Sequence, residues 1–289
     1  MVFKLKTVLV TGRDRVKFIE EIKKFNLPLE FYLEEEKKDC DIYVGYKALP
    51  DFSNYKYEWV HSLGAGVDTF INHSINLLTR TMNQFGESIF NYCLYYINNE
   101  YYKNNQIIKK WDQYFLKENI IIYGAGNIGS YMAKRFRELG FNVYGVSRSL
   151  KDNPDFNEIY GEKINEGLKK SNWIINVLPL TKETKDYFDI TFFRECNGQG
   201  FINVGRGMSV IEEDLIKAID EQKISRAILD VFRTEPLPNY SLLWDKAIIT
   251  PHIAGITNIS SAVLQFVDTY NRIITGEELN NKVDLEREY

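Results

Sequence analysis

The sequence predicts an α/β protein whose strands form parallel sheets joined by helical crossovers. Short apolar runs alternate with stretches of helical periodicity along most of the chain, which is the pattern of repeated βαβ units. The 289 residues suffice for one large domain or two ordinary ones, and 44% hydrophobic with 26% charged residues is a typical globular composition. We therefore expect a folded α/β chain with a substantial core.

The first part of the chain contains three apolar runs of strand length. The third runs directly into a glycine-rich turn, Gly64-Ala65-Gly66. A long, aromatic-rich helical pattern follows from Gln84 to Tyr102, and it is too polar to be buried on all sides. This helix is expected to connect two halves of the molecule. The elements predicted before it are strands at Thr7–Val10, Asp41–Val44 and Trp59–Leu63 and a helix near Arg15–Phe25.

The pattern becomes more regular after residue 119. The run Ile120–Ile122 has the composition of a buried strand, and helical periodicity over Ile128–Leu139 stops at Gly140, a residue type that commonly ends helices. Further strands are expected downstream, with helical patterns between most of them. They are Val143–Val146, Trp173–Val177, Phe201–Val204, Ala227–Val231 and Ala247–Thr250.

The charge balance and the scarce histidines and cysteines exclude several classes of function. Lysine and arginine number 36 against 40 aspartate and glutamate, and the net charge of −4 argues against a nucleic acid or an anionic membrane as the main partner. The three histidines and three scattered cysteines form no C-x-x-C pair and no H-E-x-x-H motif, so no metal is expected. An odd, scattered set of cysteines is no disulfide framework, and with no signal-like N-terminus and no apolar run of spanning length it favours a reduced, cytoplasmic protein.

Most of these scarce side chains are expected to be structural. His61 precedes the glycine-rich turn and no chemistry requires it, and His73 lies in a polar stretch typical of a turn. Cys93 has no histidine neighbour in sequence that could activate it, and Cys196 precedes an Asn-Gly turn signal. His252 remains as the histidine at the end of a predicted strand.

A glycine-rich loop lies between a predicted strand and a predicted helix. Gly124, Gly126 and Gly129 satisfy G-x-G-x-x-G in the context that this motif needs. The first glycine permits a tight turn, the second lets the backbone approach a pyrophosphate, and the third lets helix and strand pack closely. With Asn127 and Ile128 opening the helix, the loop predicts a dinucleotide-binding site, although glycines also mark plain turns.

The end of the next strand indicates which dinucleotide is bound. A carboxylate about 20 residues beyond the glycines would bind the ribose 2′-hydroxyl of NAD. The chain has Ser147, Arg148 and Ser149 at this point, with Lys151 just beyond, and no carboxylate in this stretch to repel a 2′-phosphate. Because a guanidinium can bind a phosphate with two hydrogen bonds, we expect NADP(H) to be preferred, with NAD(H) possible. The alternative is a solvent-facing arginine at a strand end.

Polar residues follow the later strands, at the edge where open α/β sheets bind ligands. Arg206 follows one strand, Glu235 follows the next, and His252 follows the last. A protonated histidine can supply the proton that an alkoxide needs after hydride transfer, and a carboxylate can orient the ring. The arginine can bind a substrate carboxylate or carbonyl oxygen. Each residue alone has a simpler explanation, as a helix cap, a surface carboxylate or a loop arginine, but together they predict reduction of a carbonyl beside a carboxylate.

These motifs occur in an order that resembles the D-isomer-specific 2-hydroxyacid dehydrogenases over nearly the whole chain. More narrowly, the chain is similar to the glyoxylate/hydroxypyruvate reductase A type. The segments that carry the resemblance are the glycine loop, Asn203-Val204-Gly205-Arg206-Gly207, Leu229-Asp230-Val231-Phe232 with Glu235-Pro236, Pro251-His252-Ile253-Ala254, Trp59 to Asp68, Val146 to Ser149, and Leu243-Trp244.

The resemblance implies roles for particular residues. Arg206, Glu235 and His252 would be the catalytic trio, with His252 as acid and base, and Arg206 and His252 would also contact the substrate. Backbone N–H groups of Leu63, Gly64, Ala65 and Gly66 would bind the substrate carboxylate. Leu178, Pro179 and Asp230 would line the nicotinamide side, and Thr184 would also contact the cofactor. Ser147, Arg148, Ser149 and Lys151 would bind the 2′-phosphate. Arg80 and Trp111 match positions near the cleft.

The resemblance also implies the domain organisation and the function. A flavodoxin-like, discontinuous substrate domain at residues 1–82 and 256–289 would accompany a Rossmann-type, doubly wound cofactor domain at 83–255, and the protein would be a homodimer. The expected activity is NADPH-dependent reduction of small 2-oxo acids such as glyoxylate and hydroxypyruvate. Two alternatives remain: an NAD-linked D-lactate-type dehydrogenase, and a dinucleotide-sensing interaction protein like the co-repressors related to this family.

Overall fold

The computed structural model describes residues 5–36, 38–104 and 118–289. The chain divides into two compact units, one formed by Met1–Gln84 with Thr257–Tyr289 and the other by Phe85–Ile256. Each unit is built on one parallel sheet with helices between its strands. The predicted α/β class is therefore confirmed. In the described part of the chain, no helix combines the length and the apolar character needed to cross a membrane.

The first unit contains a five-stranded parallel sheet in the order β2-β1-β3-β4-β5, which is the flavodoxin-like strand order. One sheet face is covered by two helices, and Trp59 stacks on Phe266 with ring centroids 4.6 Å apart. The second of these helices comes from the C-terminal segment, so the unit is discontinuous in sequence. Its elements are β1 (Lys6–Val10), α1 (Arg15–Ile22), β2 (Leu29–Leu33), β3 (Ile42–Gly45), β4 (Trp59–Ser62), β5 (Leu78–Arg80) and α8 (Ile259–Thr275).

The second unit contains a seven-stranded parallel sheet in the order β12-β11-β10-β9-β6-β7-β8. Strand order reverses beside β6, as in the doubly wound dinucleotide-binding fold, where ligands bind beyond the carboxyl ends of the strands. Its elements are α2 (Gly86–Asn104), β6 (Asn119–Tyr123), α3 (Asn127–Glu138), β7 (Asn142–Val146), β8 (Glu158–Tyr160), α4 (Glu166–Lys170), β9 (Trp173–Asn176), α5 (Ile190–Arg194), β10 (Gln199–Asn203), α6 (Glu212–Asp220), β11 (Ile224–Leu229), α7 (Leu243–Lys246) and β12 (Ile248–Ile249).

Some predicted boundaries were wrong, and three strands were missed. The strand expected at Ala227–Val231 begins at Ile224 and ends at Leu229, so Asp230 follows the strand instead of lying in it. The missed strands are β2, β5 and β8, which are short and contain charged or partly exposed residues, so they lack an apolar run. Trp111 lies outside the described residues.

Candidate active site

The glycine loop between β6 and α3 has the geometry that a dinucleotide pyrophosphate requires. Gly124 adopts a φ of +112°, and a Cβ on Gly129 would lie 1.9 Å from the Gly124 carbonyl oxygen, so the helix packs tightly against the turn. A Cβ on Gly126 would have no atom within 4 Å, which leaves open space in front of the backbone. Gly126 caps α3 without a side-chain hydrogen bond, and Asn127 is exposed at the start of the helix. These residues fit a bound pyrophosphate.

The end of β7 carries the residues predicted to bind a 2′-phosphate. Ser147 and Ser149 lie with their hydroxyl oxygens 3.2 Å apart, and Arg148 and Lys151 are exposed. Arg148 pairs with the carboxylate of Glu183, which comes from the loop after β9. The stretch around Arg148 contains no carboxylate of its own, as the sequence indicated, but the fold brings one to it from 35 residues away in sequence.

Two buried asparagines support the loops that follow β9 and β10. Asn176 ends β9 and Asn203 ends β10, and they face each other across the parallel pair, with Asn176 Nδ2 donating to Asn203 Oδ1 at 2.8 Å. Asn176 Oδ1 accepts from the Leu178 amide at 3.0 Å. The Arg206 carbonyl accepts from Asn203 Nδ2 at 3.2 Å and from the Ser209 hydroxyl at 2.6 Å. The network fixes the backbone at Leu178 and at Arg206, whose side chain is half-buried.

Arg233 joins the loops that follow β9, β10 and β11. Its guanidinium donates to Asp186 Oδ1 at 2.5 Å and to the Val210 carbonyl at 2.8 Å, while its backbone amide donates to Glu212 Oε1 at 2.8 Å. The Thr184 hydroxyl donates to the Pro179 carbonyl at 2.6 Å and so closes the first of these loops on itself. Arg233 thus holds three loops together. The first carries the predicted nicotinamide contacts, the second carries Arg206 and the third carries Glu235.

His252 and Glu235 form a hydrogen-bonded pair. The distance from His252 Nδ1 to Glu235 Oε2 is 2.9 Å, and the side chains are 44% and 27% exposed, so both can be reached from solvent. Glu235 Oε1 also lies 3.3 Å from the amide nitrogen of Phe232, which orients the carboxylate. A carboxylate at Nδ1 fixes the tautomer and leaves Nε2 as the nitrogen that can exchange a proton.

The backbone of His252 is held in a left-handed conformation. Its φ is +56°, which costs a non-glycine residue about 1–2 kcal/mol. The His252 amide donates to the Asp230 carbonyl at 2.9 Å, and the Asp230 carboxylate accepts from the amides of Ile253 and Ala254, each at 2.8 Å. Asp230 is only 1% exposed. These contacts, together with the Thr250 hydroxyl that donates to Asp230 at 2.6 Å, hold the turn in place.

The glycine-rich turn of the first unit follows β4. Leu63 is fully buried and its amide donates to the Gly45 carbonyl at 3.0 Å, and the Gly64 amide donates to Ser62 Oγ at 3.2 Å, so these two predicted substrate-binding amides already have hydrogen-bond partners in the fold. Gly64, Ala65 and Gly66 are only partly buried. Arg80 donates to the Ala65 carbonyl at 3.2 Å, which gives this arginine a supporting role for the turn.

The remaining histidines and cysteines are structural in their surroundings. His61 is completely buried beside Thr79, and His73 is bonded to Ser53 through Nδ1 at 2.7 Å. Cys93 and Cys196 are buried, and burial raises the pKa of both thiols, which keeps them protonated. Among the described residues, no three histidine, cysteine or carboxylate side chains are grouped to hold a metal ion.

Several supporting residues were not found from the sequence. Glu183, Arg233, Thr250 and Tyr92 act through contacts with distant segments, and nothing in their local sequence marks them. Asn176 could have been found, because it ends an apolar strand with a polar residue, as Asn203 does on the neighbouring strand.

A doubly wound parallel sheet with a glycine-rich phosphate loop, and an Arg-Glu-His set on the loops at its carboxyl edge, defines a dinucleotide-dependent oxidoreductase. Comparison with known proteins makes the class specific. The model of the D-isomer specific 2-hydroxyacid dehydrogenase NAD binding domain matches residues 97–254. Glyoxylate/hydroxypyruvate reductase A from Escherichia fergusonii is 32% identical over 253 residues, which is 80% of this chain and 81% of that protein. The same enzyme from Klebsiella pneumoniae is 30% identical with the same coverage.

Solved structures agree with this assignment. A D-isomer specific 2-hydroxyacid dehydrogenase family protein from Aeromonas salmonicida superposes with a TM-score of 0.82 at 27% identity, covering 98% of this chain and all of that one. An NADPH-dependent glyoxylate/hydroxypyruvate reductase from Sinorhizobium meliloti, solved with NADP and sulfate, has a TM-score of 0.84 at 25% identity over 98% of this chain and all of that one. The chain belongs to the D-isomer-specific 2-hydroxyacid dehydrogenase family, and it is an NAD(P)-dependent oxidoreductase.

Proposed function

We propose that the protein reduces small 2-oxo acids such as glyoxylate and hydroxypyruvate with NADPH. The observation that carries the proposal is the pair formed by His252 Nδ1 and Glu235 Oε2 at 2.9 Å, on loops at the sheet edge where the family binds its dinucleotide. The relatives named glyoxylate/hydroxypyruvate reductase A support the substrate class.

His252 donates the proton in this proposal. When bound, the reduced nicotinamide supplies the hydride to the carbonyl carbon of the 2-oxo acid. The protonated imidazole gives its Nε2 proton to the resulting alkoxide, and Glu235 stabilises the imidazolium through Nδ1. Arg206 binds the carboxylate or the carbonyl oxygen of the substrate with its guanidinium. The turn Leu63–Gly66 is assigned to the substrate carboxylate, with the backbone N–H groups of Ala65 and Gly66 as donors, because the Leu63 and Gly64 amides donate to the Gly45 carbonyl and to Ser62 Oγ.

The cofactor contacts follow from the loops already described. We assign the pyrophosphate to the segment Gly124–Gly129 and the nicotinamide end to Leu178, Pro179, Thr184 and Asp230. The 2′-phosphate is assigned to Ser147, Arg148, Ser149 and Lys151. The Sinorhizobium meliloti reductase solved with NADP supports this preference for NADPH.

Oxidation of NADPH, followed at 340 nm with a panel of 2-oxo acids, tests the proposal. His252→Gln should lower kcat by at least about 100-fold, since a positioned general acid contributes at least that factor. His73→Gln is the matched control for loss of a histidine and should leave kcat unchanged. Arg206→Lys keeps the charge but loses the two-pronged geometry, and it should raise KM for the 2-oxo acid. Wild-type protein that turns over none of the panel would refute the proposal.

A second candidate is an NAD-linked D-2-hydroxyacid dehydrogenase of the D-lactate type. The ion pair between Arg148 and Glu183 favours it, because a carboxylate beside this arginine opposes a 2′-phosphate. The ratio of kcat/KM for NADPH to that for NADH distinguishes the two. A ratio well above one supports the reductase, and a ratio near or below one supports the NAD-linked enzyme.

We further propose a cytoplasmic homodimer. The cytoplasmic location rests on the odd, widely scattered set of three cysteines, all buried, which is no disulfide framework, and the dimer follows from the family resemblance. Light scattering coupled to gel filtration measures the assembly, and a mass near 33.9 kDa would contradict the dimer.

A further inference from the structure

A chain of polar side chains leads from helix α2 to the turn that carries His252. Tyr92 Oη lies 2.6 Å from Thr250 Oγ1, and Thr250 Oγ1 lies 2.6 Å from Asp230 Oδ1. Asp230 is almost completely buried, and Tyr92 and Thr250 are partly buried. The chain therefore connects a helix to the carboxylate that holds the turn.

The direction of the hydrogen bonds in this chain follows from its acceptor. Thr250 Oγ1 donates its single hydroxyl proton to Asp230 Oδ1, which also accepts from the Ile253 amide. Tyr92 must then be the donor to the Thr250 oxygen. Burial raises the pKa of Tyr92 above its ordinary value, which keeps the phenol protonated and able to donate. The amides of Ile253 and Ala254 donate to Asp230 Oδ1 and Oδ2, so both carboxylate oxygens accept hydrogen bonds.

Helix α2 contacts the turn at a second point. Ser88 lies one helical turn before Tyr92, on the same face of α2, and its Oγ accepts from the amide of Ile256 at 3.3 Å. The segment from Thr250 to Ile256 is thus bonded to α2 at both ends, with His252 between them. A non-glycine residue stays in the left-handed region only when its surroundings impose this conformation.

We propose that Tyr92 and Thr250 are positioning residues that hold the His252 imidazole where it can donate its proton, acting through the Asp230 carboxylate and the left-handed turn. The inference rests on the proposed function for its link to catalysis. Its structural part concerns the turn alone, and it can be measured without substrate.

Four variants test this inference. Thr250→Val keeps the shape of the side chain and removes the hydroxyl, Thr250→Ser restores the hydroxyl, and Tyr92→Phe removes only the phenol oxygen. The control is Thr269→Val on α8, since Thr269 is a threonine only 2% exposed that donates to Gln265 at 2.7 Å in the first unit.

The first readout is hydrogen exchange of the peptide that spans residues 250–256, measured by mass spectrometry without substrate. Loss of a donor to a buried carboxylate should speed exchange of the Ile253 and Ala254 amides by about tenfold or more in Thr250→Val. Tyr92→Phe should show a smaller increase, Thr250→Ser should exchange like wild type, and Thr269→Val should leave this peptide unchanged.

The second readout is steady-state reduction of the best 2-oxo acid. Thr250→Val should lower kcat by about tenfold because the donor is misplaced, and it should change KM for NADPH by a smaller factor because most residues assigned to the cofactor lie on other loops than Asp230. Thr250→Ser should recover most of kcat. If the peptide 250–256 exchanges as fast in wild type as in both Thr250→Val and Tyr92→Phe, the inference is overturned. Equal losses of kcat in Thr250→Val and Thr269→Val would also overturn it. A wild-type protein without reductase activity refutes the proposed function, and the exchange result still decides whether the chain holds the turn.

Discussion

The completely buried His61 should make the stability of the first unit fall in mild acid. His61 lies on β4 with Nδ1 2.8 Å from Thr79 Oγ1, and the indole of Trp59 donates to the same oxygen at 2.7 Å. Its ring also meets Phe266 edge-on, with centroids 5.5 Å apart. Burial lowers the pKa of His61 to about 3, from an ordinary value of 6.5.

The size and the direction of this effect follow from linkage. Between pH 6.5 and pH 3 the unfolded chain binds a proton at His61 and the folded chain does not, so stability is complete above this window and falls as the pH is lowered through it. From pH 7 to pH 5 the loss from His61 is about 2 kcal/mol, and this figure is insensitive to the folded pKa as long as that pKa stays below about 4.

Urea unfolding at pH 7 and pH 5 measures the loss, with wild type compared with His61→Gln. Glutamine does not titrate, so the variant should lose about 2 kcal/mol less than wild type between the two pH values, whatever its stability at pH 7. Carboxylates titrate in both proteins and cancel in the difference. His73→Gln, measured in the same way, controls for the replacement of a histidine by glutamine elsewhere in the first unit. Equal losses in wild type and His61→Gln, within about 0.5 kcal/mol, would refute this reasoning.

Three further outcomes are expected. Glu183→Gln should raise the ratio of kcat/KM for NADPH over NADH by up to about fivefold, since it removes an exposed negative charge beside Arg148; an unchanged ratio would contradict this. Gly129→Ala should destabilise the protein in thermal melts, because its Cβ would lie 1.9 Å from a backbone oxygen, whereas Gly126→Ala should leave the melt unchanged and weaken its shift by NADPH. Arg233→Gln should lower kcat, because it releases the loops that Arg233 joins. A kcat equal to that of wild type would contradict this role in holding the loops together.

The fold was predictable where the sequence contains long apolar runs or special backbone. The strands β6, β9 and β10 are buried apart from Asn119, and each contains consecutive apolar residues, while Gly140 ends α3 in the conformation expected for a helix-terminating glycine. The edge strand β8 was missed because an edge strand packs on fewer neighbours and needs no apolar run. Such strands are defined by pairing with the rest of the sheet, which local sequence does not encode.

In the site, the residues that bear the proposed chemistry could be predicted from the sequence, whereas the residues that support them could not. Residues that bear the proposed chemistry follow the carboxyl ends of strands, so parallel-sheet geometry alone brings Arg206 and Glu235 to one edge. Their supports are set by contacts between loops. Glu183 meets Arg148 from another strand's loop, and Arg233 reaches the loops after β9 and β10. Side-chain partners across loops depend on the final packing, and no spacing rule anticipates them.

Asp230 and Glu235 show how the structure separates groups that the sequence presents as equivalent. Both are carboxylates after β11, five residues apart, and either could serve a histidine. The exposed one bonds to the imidazole of His252 at 2.9 Å, whereas the buried one bonds to the amides beyond it. Loss of Glu235 therefore removes the carboxylate beside the His252 ring and leaves the hydrogen bonds of the turn in place. Loss of the hydrogen bonds to Asp230 frees the turn but leaves the ring bonded to Glu235. A proton donor in this arrangement needs both, because an imidazolium must be stabilised and must also stay within reach of the reacting oxygen.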